Sequence, residues 1–219
     1  MRRYQDLIDN YLGAEWSQLK GALQKQDIAT LEQCLASSKA LNMLNTKYLI
    51  YNPGASPIVN PYAQGAAWLV DEVKCVANAD DAIASLRTSD LTRTAIMEKE
   101  VILSDEVDTL STIERTMYAP DKLSYKVNCA TDKVAVFSEI YYPAGWRAFV
   151  DGEEVEIMRA NYVLRALLLK PGEHEVEFRF EPKSFEMGAL LSRISSLIVV
   201  LMVVGACIWG VFKRVKKEA

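Results

Sequence analysis

His174-Glu175-Val176-Glu177-Phe178-Arg179-Phe180-Glu181 alternates charged and apolar residues after its first position. Side chains of an extended chain point to opposite faces in turn. Val176, Phe178 and Phe180 are therefore expected to enter a core, and Glu175, Glu177, Arg179 and Glu181 to meet water. Working back along the chain, Pro171-Gly172 ends a strand expected from Tyr162 to Leu169. Ala148-Phe149-Val150, Asp151-Gly152, then Val155 and Ile157 read as a hairpin. An Asp-Gly pair suits a type I′ turn, in which φ is positive at both central residues. Val134 to Tyr142 and Tyr125 to Cys129 add two further strands around a turn at Thr131-Asp132. Short antiparallel strands with turn signals between them predict a β-sandwich over residues 110–186.

Beyond Pro182 the pattern changes. Ile194 to Phe212 carries no charge, and eleven of its residues are Leu, Ile, Val or Phe. As a helix it spans about 28 Å, close to the hydrocarbon thickness of a bilayer. A transmembrane helix is expected over 187–213, with Arg193 and Trp209 as interfacial anchors and 214–219 as a basic tail. Lys213, Arg214, Lys216 and Lys217 crowd the C-terminal flank. The positive-inside rule then places that tail in the cytoplasm and residues 1–186 outside it. Met1-Arg2-Arg3-Tyr4-Gln5-Asp6 is followed by no apolar signal segment, so the expectation is a C-terminal piece of a longer membrane protein.

Before the sandwich, Leu7, Ile8, Tyr11, Leu12, Trp16, Leu19 and Leu23 recur at helical spacing, and Asp27 caps a second helix to Ser37. These form a helical segment, 1–40, whose aromatic residues are expected in the core. Residues 41–109 read as a small α+β unit. Its strands are expected near Lys47–Tyr51, Trp68–Val76 and Thr94–Met97, with a helix capped by Asn78 or Asp80. The fold class is α+β.

The chemistry is sparse. The whole chain carries a charge of −4, but five cations against one anion leave residues 187–219 at +4 and residues 1–186 at −8. So acidic a body repels nucleic-acid phosphates, and no nucleic-acid partner is expected. Cys34, Cys75, Cys129 and Cys207 form no CxxC pair, His174 is the single histidine, and no nucleotide, cofactor or metal motif occurs. No catalytic residue is assigned. Three of the thiols precede the anchor and permit at most one bridge; unpaired, buried cysteines are the simpler expectation. The candidate site joins Trp146, Arg147, Arg159, Asn161 and Tyr162. Aromatic faces stack on sugar rings, while Arg and Asn donate to hydroxyls or phosphates. The competing reading puts Trp146 and Tyr162 in the core or rim of the sandwich, with Arg159 bonded to a loop carbonyl.

Several stretches together resemble the C-terminal region of the bacterial YfhO family of polytopic membrane proteins. They are Arg2-Arg3-Tyr4-Gln5-Asp6-Leu7-Ile8, Leu41 to Tyr48, Asn60-Pro61 with Ala67-Trp68, Tyr142 to Gly152, Arg159 to Ala166 and Pro171-Gly172-Glu173-His174. Gly65-Ala66-Ala67-Trp68-Leu69 departs from the family pattern, which more often has Asn before the alanine and Phe after the tryptophan. The resemblance implies a parent similar to GT-C-type glycosyltransferases, which take sugar from a polyprenyl-phosphate carrier for the cell envelope. It implies as partners the lipid bilayer, the parent's N-terminal transmembrane region and an envelope glycan or polyprenyl-linked sugar. The family's acidic catalytic residue lies in an early loop to which nothing here corresponds. The alternative is a membrane-tethered sandwich that binds an envelope glycan or a partner protein without catalysis.

Overall fold

The computed structural model describes residues 2–103 and 110–218, with side chains from 183 onward described in part. The chain opens as a helical rod: α1 (Arg2–Leu7), a π-helical turn at Ile8–Leu12 and α2 (Gly13–Lys25). Asp27 caps α3 (Ile28–Ser37) by accepting the Thr30 N–H, and α4 (Lys39–Met43) follows. Of the expected aromatic core residues in this rod, Tyr11 is buried and donates to the Ile83 carbonyl. Trp16, however, is 43 % exposed. Leu7 enters the core of the body, and Leu19 a second cluster with Leu35 and Leu49.

Three sheets follow. β1 (Tyr48–Leu49) and β2 (Ile58–Val59) form a small ladder. The large sheet contains β3 (Ala67–Val70), β4 (Glu72–Cys75), β5 (Thr94–Met97), β8 (Lys133–Ile140), β11 (Met158–Ala160) and β12 (Leu164–Leu169). Its strand order is β3-β8-β12-β11-β5-β4. α5 (Ala79–Ser85) lies between β4 and β5, capped by Asn78. The third sheet, β10-β9-β13-β7-β6, is built from β6 (Thr112–Tyr118), β7 (Lys122–Cys129), β9 (Trp146–Val150), β10 (Glu153–Val155) and β13 (Gly172–Phe180).

The large sheet is rolled. β3 and β4 end its strand order, yet only Asp71 separates them in the chain. Two residue steps reach at most about 7 Å, so the two edges of the sheet must meet. The stretch expected as one strand, Trp68–Val76, is therefore two. It leaves an antiparallel pairing with β8 and enters a parallel pairing with β5. Asp71 holds the corner: its N–H donates to the Arg93 carbonyl, and its carboxylate pairs with the buried Lys133 and with Arg93.

Both faces of the rolled sheet are covered. One face (Val70, Val134, Val136, Leu164, Ala166) packs with Leu7, Tyr11, Ala82 and Leu86 from the helices. The other (Ala135, Phe137, Leu167, Leu169) meets Leu123, Tyr125, Val127, Ala148, Val176 and Phe178 of the five-stranded sheet. That is why Val134 to Phe137 is apolar without alternation, as a strand buried on both faces requires. Strands from 41–109 and from 110–186 thus hydrogen-bond within a single sheet. α6 (Lys183–Glu218) leaves the body after Pro182, and its Met187–Ala206 stretch is unburied and long and apolar enough to cross a membrane.

The opening run behaves as its alternation demands. Val176 and Phe178 are buried, while Phe180 is half-buried at the sheet's end. Asp151 and Gly152 have φ of 53° and 86°, and Glu153 pairs with Val150, which is the two-residue I′ hairpin. Of the three cysteines before the anchor, all expected to be buried, only Cys129 is; Cys34 is half-buried. Cys75 is exposed, because β4 lies at an end of the sheet's strand order.

Candidate functional site

The hairpin between β11 and β12 builds the site. Ala160 pairs with Leu164, leaving Asn161, Tyr162 and Val163 as its loop. Asn161 and Tyr162 both have positive φ, 47° and 72°, which a bulky tyrosine rarely adopts. Two sets of contacts hold them there. Asn161 is fully buried; its N–H donates to the Ile96 carbonyl and its Oδ1 accepts the Ile96 N–H at 3.0 Å. The side chain thus continues the ladder to β5. Tyr162 donates to Asp6 Oδ2 at 2.9 Å and lies under the Arg3 guanidinium, which in turn pairs with Glu98. Burial, then the Asp6 carboxylate, pushes the Tyr162 phenol up.

Of the five expected residues, the structure brings three to one groove of about 630 Å³: Trp146, Arg159 and Tyr162. Asn161 sits beneath it as part of the scaffold. Arg147 is directed elsewhere, donating to Glu154 and Glu181 along the edge of the five-stranded sheet; these carboxylates push its pKa up. Among the described residues no carbonyl accepts from the Arg159 side chain, contrary to the competing reading. Its guanidinium lies 4.5 Å from the centre of the Tyr141 ring.

Trp146 is half-buried at the rim and stacks obliquely on Phe180, ring centres 5.2 Å apart. Between it and the core lies a residue that sequence reasoning missed, Arg165. Only 3 % of Arg165 is exposed, and its guanidinium sits 4.2 Å from the Trp146 ring and 5.5 Å from Phe178. Nε donates to the Ile140 carbonyl, whereas Nη1 is buried with no hydrogen-bond partner. Desolvation pulls the Arg165 pKa down. The nearby Tyr125 hydroxyl is also buried and unpartnered, and burial pushes its pKa up to about 12. Arg2, Arg3, Tyr4, Glu139 and Tyr142 also line the groove. The signal for Arg165 was its position: Arg159 and Arg165 stand three residues either side of Tyr162, the centre of the hairpin loop. Without a glycine in that loop, the turn was not recognisable.

The groove has aromatic faces and arginines but no paired carboxylates poised for proton transfer. Among the described residues no group of three His, Cys, Asp or Glu is arranged to hold a metal.

The model of the family described as bacterial membrane protein YfhO matches residues 97–192, from the last residue of β5 into α6. Over these residues the chain is similar to the YfhO family. The matched segment contains Trp146, Arg159, Tyr162 and Arg165, and so most of the groove; Arg2, Arg3 and Tyr4 come from outside it. The resembling stretches before residue 97 also lie outside the matched range. No curated protein and no solved structure matches the chain.

Proposed function

We propose that this chain is the extracytoplasmic C-terminal part of a YfhO-like polytopic membrane protein. In this reading it is the non-catalytic region of a GT-C-type glycosyltransferase that draws on a polyprenyl-phosphate-linked sugar for cell-envelope glycosylation. The observation that carries the proposal is the YfhO match running into a helix fit to cross a membrane, with the groove beside that junction. The groove's role is to hold the sugar: Tyr141 and Trp146 offer ring faces, and Arg159 offers a planar donor. The basic tail after the helix supports the sidedness. The binding-module alternative draws on the same groove and differs only in having no catalytic partner region.

Cys75 supplies the test of sidedness, because its thiol is exposed on the body. In intact cells a membrane-impermeant maleimide is expected to label Cys75 in a variant lacking the other cysteines. Labelling that appears only after lysis overturns the extracytoplasmic placement. Disruption of the gene is expected to change the sugar composition of the envelope. An unchanged envelope, with Cys75 labelled from outside, leaves the binding module and removes the enzyme.

A further inference from the structure

We propose that the groove binds the phosphate of a membrane lipid headgroup, held between Arg159 and Arg165. This rests on the reading of the chain as membrane-tethered and adds a ligand to the groove.

The register is the first argument. Arg159 and Arg165 are directly opposed across the β11–β12 ladder. Their neighbours Met158, Ala160, Leu164 and Ala166 all face the helix-side core, so both arginines leave the opposite face of the sheet. Cβ atoms of opposed residues stand about 5 Å apart, and like charges so placed repel. Elsewhere on the molecule Arg3, Arg147 and Arg179 are each paired with carboxylates. Among the described residues no carboxylate lies within ion-pair distance of Arg159 or Arg165. Glu139 lines the groove and offsets part of the charge of Arg165, and Glu98 acts on Arg159, neither at ion-pair distance.

The second argument is the unmet donor. Arg165 is almost wholly buried, lines the groove and keeps Nη1 without a partner. A buried charged donor without an acceptor is costly. A tetrahedral oxyanion between two planar forks would relieve both the repulsion and the missing bond.

The third is position. Phe180 lines the groove, and Met187 begins the apolar span. Three extended steps and four helical ones separate them, at most about 16 Å. The groove thus opens within reach of the headgroup layer. Tyr142 and Tyr4, both exposed at its rim, suit that interface.

The test uses the full chain in neutral detergent micelles, with phosphatidic acid, diacylglycerol and inorganic phosphate as probes. Phosphatidic acid is expected to bind and raise the melting midpoint, and diacylglycerol to do neither. Arg159→Gln, at a half-exposed position, is expected to weaken phosphatidic acid binding at least tenfold while the chain stays folded. Arg165→Lys keeps the charge but loses the fork, and is expected to weaken binding likewise. If Arg165→Lys does not fold, Arg159→Gln decides alone. Equal affinity of Arg159→Gln and the parent chain overturns the proposal, as does equal binding of diacylglycerol. Inorganic phosphate binding as tightly as phosphatidic acid overturns the lipid assignment. Because the measurement is made in micelles, its failure is independent of the Cys75 result.

Discussion

At the scale of single residues, the molecule separates groups that hold structure from groups left to hold something else. Asn161 spends its backbone N–H and its side-chain Oδ1 on β5, its Nδ2 being buried without a partner, and Arg147 is committed to two carboxylates. Neither lines the groove, although both have the residue type that a glycan or phosphate site uses. Type is legible in a sequence; commitment to a partner dozens of residues away is not. His174 illustrates the first case. Its Nδ1 lies 2.7 Å from Asp151 Oδ2 and its Nε2 2.9 Å from the Lys170 carbonyl, so both nitrogens donate only in the imidazolium form. The Asp151 carboxylate raises the His174 pKa above 6.5, and the His174 bond lowers that of Asp151 below 3.8. A raised folded pKa gives stability that is complete below 6.5 and lost as pH rises through the folded value. A lowered one gives stability present above 3.8 and lost as pH falls. The hairpin is therefore held best between these limits. His174→Gln is expected to lower the melting midpoint near pH 5.5 and to change it little near pH 9. Equal shifts at the two pH values would show that the imidazolium makes no contribution.

At the scale of elements, turns and alternation were the most legible features. The Asp151-Gly152 hairpin, the Asp27 and Asn78 caps and the β13 alternation are local patterns, fixed by residues adjacent in sequence. β6 and β11 were not anticipated. β6, Thr112 to Tyr118, is mostly exposed at a sheet edge and so lacks an apolar alternation, and β11 is three residues long. Two glycines show how a turn can be constrained by its backbone alone or by its surroundings as well. Gly152 has φ of 86°, and a Cβ there would meet nothing within 4 Å. Gly145 has φ of 120°, and a Cβ there would lie 2.9 Å from the Phe180 ring and 3.0 Å from Pro182 Cβ. Gly152→Ala is expected to cost about 1 kcal/mol, the backbone preference alone. Gly145→Ala adds a clash at the junction between the sheet and α6 and is expected to cost about 3 kcal/mol or more. Denaturant midpoints of the two variants check the ordering; equal costs would mean that the Phe180–Pro182 contact yields freely.

At the scale of the whole molecule, the sequence showed the strands but not how they close. Nothing between Trp68 and Val76 signals that the chain passes from one end of a rolled sheet to the other, since the Asp71 corner depends on Arg93 and Lys133. The N-terminal rod is likewise tied to the body over long sequence distances, through Leu7 and Tyr11 in one core and Leu19 in another. α6 is different: its Met187–Ala206 span is unburied along its whole length. These two attachments lead to opposite expectations for truncation. A chain ending at Pro182 loses no buried core residue among those described and is expected to fold cooperatively in water, with a melting midpoint within a few degrees of the full chain in detergent. A chain lacking residues 1–25 loses Leu7, Tyr11 and Leu19, each worth about 2–5 kcal/mol when truncated in a core. Their sum is comparable with the whole stability of a domain, about 5–15 kcal/mol, so that chain is expected not to fold. Circular dichroism melts of the two truncations check both expectations. A cooperative transition in the chain without residues 1–25 would show that the sheets close without the rod, and the Asp6–Tyr162 bond would then be an accessory contact.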